Sequence, residues 1–168
     1  QAVLGTGTLI MVALLALGGA VSGTPWNLDA GAGHIALTFC DLLTGGLVLG
    51  LTLTAMFLGH WYLNTPTMQL APLKRLVLLM GASLVARLAV GGMALGVLLV
   101  AIGTPNTTEM LLIGLRWLAG IVLPLGLTSL TWQTLKIPNT QSATGILYAA
   151  VILTFIGELT SQLLSTTA

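Results

Sequence analysis

Four ionisable residues interrupt long apolar runs of this sequence: Asp41, Arg87, Arg116 and Glu158. A charge inside a lipid-embedded helix is costly unless it faces protein and meets an opposite charge, so each marks a position of packing or functional weight. Two acids and two bases sum to neutrality. Such a set suits proton conduction, the binding of a quinone head group, or a purely architectural ion-pair network that fixes helix packing. Helical spacing puts Asp41 on a stripe with His34, Thr38, Gly45 and Thr52. Arg87 is flanked by Ser83 and Gly91, Arg116 is followed by Gly120 and Pro124, and Glu158 is bracketed by Thr154 and Gln162. Small and polar residues on one face are what helix–helix contacts in a bilayer favour. Counted at 1.5 Å per residue from the outer ends of the runs, Asp41 lies about 12 Å deep, Arg116 and Glu158 about 10 Å, and Arg87 about 24 Å. The expected network is an Arg116–Glu158 pair completed by Asp41 or Arg87.

The other candidates are ligands. His34 and His60 stand at opposite ends of one run, separated by about 39 Å of helix, so they cannot hold one metal or one haem between them. Each could give one axial ligand to a haem or chlorophyll-type pigment shared with a partner; the plainer reading is two interfacial histidines. Cys40 is the single cysteine, which rules out an internal disulfide framework and a Cys-rich zinc or iron–sulfur site. His34, Cys40 and Asp41 show no recognised catalytic spacing. The sequence carries no Walker motif, HExxH, Gly-x-Ser-x-Gly or CxxCH, so whether the chain is itself an enzyme stays open and no catalytic residue or metal site is assigned.

The elements that must position these residues are membrane spans. Charged residues make up 5% of 168 and the hydrophobic fraction is 56%. A water-soluble chain would carry roughly a quarter charged residues. A spanning helix needs about 20 mainly apolar residues, and five runs meet that: 3–21, 33–63, 73–102, 109–135 and 142–164. The fold class expected is all-α, a single polytopic transmembrane helix bundle of about five spans. Pro25, Pro66, Pro72, Pro105 and Pro138 punctuate the breaks, and Asn106 with Glu109 resembles a capping arrangement. Pro124 should kink the fourth run and free a carbonyl near Gly120. Gly19/Gly23, Gly46/Gly50 and Gly92/Gly96 have the Gly-x-x-x-Gly spacing that lets helices approach.

Lys74, Arg75 and Lys136 fall in connections on one face of a five-span protein, whereas Asp29 and Glu109 fall in the others. The positive-inside rule then puts the N-terminus in the cytoplasm, with Trp61, Tyr62 and Trp132 at the interface. The chain begins at Gln1, so an upstream segment is either processed or missing; its first run lacks the basic start of a signal peptide. A net charge of +1 gives no footprint for nucleic acid.

The last run, with Gly157-Glu158-Leu159, is loosely similar to the quinol-interacting membrane anchors of reductase complexes. The likeness covers one helix, and those anchors have more spans, so it implies no site residue here. From the residues, the function expected is that of a small bacterial inner-membrane subunit of an electron-transfer or energy-transducing complex. It would contact quinone or pigment, or serve as architecture, with the lipid bilayer and other membrane subunits as partners. The rival expectation is a small transporter or channel subunit that uses the Asp/Arg/Glu network.

Overall fold

A computed structural model describes residue 18 and residues 31–65, 69–102, 106–137 and 139–167. The chain divides into two compact units, residues 1–38 and 39–168. Of the first unit, the described part is Gly18, Gly31 and the first seven residues of helix α1 (Ala32–Asn64). Gly31 precedes α1 at φ 86°, a left-handed conformation that glycine adopts without strain. The remaining elements are α2 (Ala71–Ile102), α3 (Thr107–Trp117), a π-helical turn (Leu118–Val122), α4 (Leu123–Lys136) and α5 (Thr140–Thr167). There is no strand among the described residues.

Four helical spans are long and apolar enough to cross a membrane: Ala32–Asn64, Ala71–Val97, Thr107–Lys136 and Thr140–Ser165. This is what an integral membrane protein requires, and the count among the described residues is four rather than about five. The other expected run, 3–21, lies outside the described residues apart from Gly18.

Each span forms for a local reason. Leu, Ala, Val and Gly fill the runs, and lipid leaves the backbone no partner but itself. At the start of α3, the Asn106 N–H donates to Glu109 Oε2 at 3.1 Å, the capping arrangement read from the sequence. At the start of α5, Asn139 Oδ1 accepts the Ser142 N–H at 3.1 Å. The third span is not a simple Pro kink. Pro124 has no N–H for the turn before it, and the chain answers with a π turn, in which the Leu123 N–H reaches Leu118 O.

In the second unit an apolar core fills the half of the spans nearer Lys74 and Lys136. Tyr62, Leu73, Met80, Leu84, Leu135 and Leu147 are its fully buried large side chains. Buried threonines within and beside it turn their hydroxyls back on their own helices: Thr52 to Val48 O, Thr128 to Pro124 O and Thr144 to Thr140 O. They cost the interior no unmade hydrogen bond. Tyr62 departs from the aromatic belt expected of it. It is buried, and its hydroxyl donates to the Gln69 carbonyl, tying the end of α1 to the connection that follows. Trp61 is exposed, as a belt residue should be.

Candidate functional site

The structure brings all four intramembrane charges of the sequence together, and pairs them otherwise than expected. Arg116 on α3 donates through Nη2 to Asp41 Oδ1 on α1 at 2.7 Å. Arg87 on α2 donates through Nη2 to Glu158 Oε2 on α5, also at 2.7 Å. The expected Arg116–Glu158 pair is therefore replaced by two crossed pairs. Arg87 joins them by donating Nη1 to the Asp41 backbone carbonyl at 3.1 Å. The two 2.7 Å distances are those of charge-assisted bonds.

Distance to a helix end does not fix the level of Arg87. Helix α2 ends at Ile102, where the apolar run also ends, about 22 Å past Arg87, yet Arg87 meets Asp41 and Glu158. Asp41, by contrast, lies only about 14 Å from the first residue of α1. The outer end of a long span is no fixed reference level. Arg87 also has the reach to meet partners a turn away from its own Cα.

Glycine makes room for the network. A methyl group on Gly45 would lie 2.7 and 2.8 Å from the two carboxylate oxygens of Glu158 and would overlap Arg87 Nη1. In this arrangement the hydrogen of Gly45 leaves space for the Arg87–Glu158 pair against α1, and a methyl would force the ends of both side chains to shift. One residue before Glu158, Gly157 packs directly on Gly120 of the π turn, where a methyl on Gly120 would stand 3.2 Å from Gly157 Cα. This backbone-to-backbone crossing sets how far α5 stands from the third span, and so where Glu158 sits. The three Gly-x-x-x-Gly spacings do not supply it. A methyl on Gly46, Gly50 or Gly96 would meet nothing from another helix within 4 Å, and one on Gly92 would meet only Trp117, at 3.7 Å. Gly19 and Gly23 lie outside the described residues.

Burial grades the four side chains. Arg87 is 4% exposed, whereas Glu158, Asp41 and Arg116 keep 22%, 24% and 16%. No buried side-chain polar atom among the described residues lacks a hydrogen-bond partner. The network is thus neutral, closed on itself and satisfied, the condition under which charges persist inside a membrane.

Of the histidines, His60 does not join it. His60 is exposed near the end of α1, with its Nδ1 3.5 Å from the Tyr148 hydroxyl and the two rings edge to face at 6.4 Å. His34 is exposed in the first unit, where its carbonyl accepts the Thr38 hydroxyl at 2.9 Å. Cys40 is a free, exposed thiol. No group of three or more His, Cys, Asp or Glu suited to a metal ion occurs among the described residues.

Sequence reasoning missed Gly45 as the seat of the ion pair and Gly120–Gly157 as the crossing. The available signal was adjacency: Gly157 immediately precedes Glu158, Gly120 follows Arg116 by one turn, and Gly45 follows Asp41 by one turn. No protein-family model, no curated protein and no solved structure matches the chain.

Proposed function

We propose that the chain is a small membrane subunit of an electron-transfer or energy-transducing complex, in which it serves as architecture and presents apolar helix faces to quinone or pigment, to partner subunits and to lipid. The observation that carries this reading is the closed network. The interior commits its charges to holding four helices in fixed relation, through two internal ion pairs. Outward, the same helices present large apolar side chains such as Phe57, Leu79, Met93, Leu111 and Phe155. In this reading the chain sits in a bacterial inner membrane with five spans, the run 3–21 being the first, and with its N-terminus in the cytoplasm. His34 or His60 would meet a haem or pigment only as one ligand of a centre completed by a partner.

The test is isolation from native membranes in mild detergent, with visible spectra, quinone extraction and identification of stoichiometric partners. Co-purifying subunits with a pigment, haem or quinone support the reading. A chain that isolates alone, and that carries ions across liposomes, overturns it.

A second reading, a small transporter or channel subunit, is favoured by the residual exposure of Asp41, Arg116 and Glu158 beside a π turn, a feature frequent at functional sites. Liposome flux that is lost in Glu158→Gln, with the fold retained, would support it. Absence of flux from well-oriented protein would remove it.

A further inference from the structure

The network is not the molecule's one organised feature. On the outer surface of the second unit, α2 and α4 enclose an open groove of about 440 Å³, within the range of small-molecule sites of roughly 300–1,000 Å³. It is lined on α2 by Gly81 and Ala82, whose lack of bulk leaves room for the depression. Its other wall runs along α4 from Leu125 to Lys136, through Trp132 and Gln133. Those eleven steps of helix correspond to about 16 Å, half of a hydrocarbon core about 30 Å thick. The groove is therefore about as long as one leaflet is thick. Its hydroxyls, on Thr128 and Ser129, are turned back to Pro124 O and Leu125 O, and an indole, an amide and an ammonium stand at its Lys136 end.

The charge at that end has no counterpart among the described residues. Lys136 lines the groove. Lys74 and Arg75 stand four and three residues before Leu78, another lining residue, and so continue the same face of α2 towards the membrane surface. None of the three makes an ion pair among the described residues. None has an acid near it in sequence either: there is no Asp or Glu between Asp41 and Glu109, or between Glu109 and Glu158. Asp41 and Glu158 are already paired with Arg116 and Arg87. An apolar channel one leaflet long, ending in unpaired cations, matches an amphiphile with a fatty chain and an anionic head.

We propose that the α2–α4 groove binds an anionic glycerophospholipid of the host bilayer, one acyl chain lying along Gly81 and Ala82 and the phosphate held by Lys136 with Lys74 and Arg75. Basic pockets between helices are a recurrent way of holding such head groups. Trp132, one turn before Lys136 in the groove wall, supplies the indole that favours a membrane interface.

Trp132 also reports the occupant. In a variant whose other tryptophans (Trp26, Trp61 and Trp117) are replaced by Phe, reconstituted into vesicles, Trp132 fluorescence is quenched by acyl-brominated phospholipid. Brominated phosphatidylglycerol is expected to compete several-fold better than brominated phosphatidylcholine for this position. Lys136→Gln should reduce that preference about fivefold, the effect of one basic residue near a charged head group. Gly81→Leu, which fills the depression, should weaken quenching by both lipids. Equal quenching by the two lipids at low ionic strength, or a preference unchanged by Lys136→Gln, would overturn the proposal. So would the absence of quenching by either lipid, the result expected if a partner helix fills the groove.

Discussion

Replacing Gly157 with Ala should be the most damaging single-methyl change in the second unit. A methyl there would lie 2.6 Å from Gly120 N and overlap Gly120 Cα, where ordinary contact begins at 3.4 Å. The obstacle is backbone on both sides, so no side-chain rotation relieves it. Helix α5 must withdraw from the π turn by roughly 0.8 Å to restore contact distance at the nitrogen alone. Glu158 is the next residue and moves with the helix. A comparable lengthening of its 2.7 Å bond to Arg87 would take the pair beyond charge-assisted geometry. Overpacking costs about 1–3 kcal/mol, occasionally more, and the loosened ion pair adds to it, so a loss of about 3 kcal/mol is expected. Gly46→Ala is the matched control. It introduces the same methyl into a helix with nothing within 4 Å, where the propensity gain is at most about 1 kcal/mol. Equilibrium unfolding in mixed detergent micelles, followed by circular dichroism, measures both. If Gly157→Ala falls within about 1 kcal/mol of Gly46→Ala, a margin small beside the overpacking cost, the close crossing is not a determinant of the fold.

The pairing itself is open to measurement. Arg87→Leu should cost about 3–5 kcal/mol by leaving Glu158 uncompensated. In double-mutant cycles by the same unfolding assay, Arg87 with Glu158 should show more than twice the coupling of Arg116 with Glu158; equal coupling would favour the pairing expected from sequence. Exchanging the more exposed pair, Asp41→Arg with Arg116→Asp, should recover most of the stability lost in either single variant, and no recovery would argue against a direct contact. Gly45→Ala should separate Arg87 from Glu158, because its methyl falls on both groups, and an unfolding midpoint equal to wild type would show that the pair has room it is not seen to have. Tyr62→Phe should cost about 1 kcal/mol through the lost bond to the Gln69 carbonyl, while Trp61→Phe, at the exposed neighbour, should cost little.

The helices and their interior charges were legible in the sequence because each follows from one-dimensional rules. A run of about 20 apolar residues is a span whatever its neighbours, and a charge within it must face protein. The partner of each charge was not legible, because pairing depends on the relative heights of spans, and α2 runs well past the layer it contributes to. The glycines misled for a related reason. The Gly-x-x-x-Gly spacing describes one helix alone, whereas the contact at Gly120–Gly157 needs two helices to meet at a point, and here one of them is locally re-wound by Pro124. What the sequence does encode is a set of mutual conditions. Glu158 and Arg87 meet as they do because Gly45 lacks a side chain, and α5 can bring Glu158 close only where Gly157 and Gly120 both lack one. Each of these glycines sits next to, or one helical turn from, a charge of the network. In a chain whose intramembrane charges must pair, a glycine at that offset is better read as clearance for an ion pair than as a general helix-contact motif.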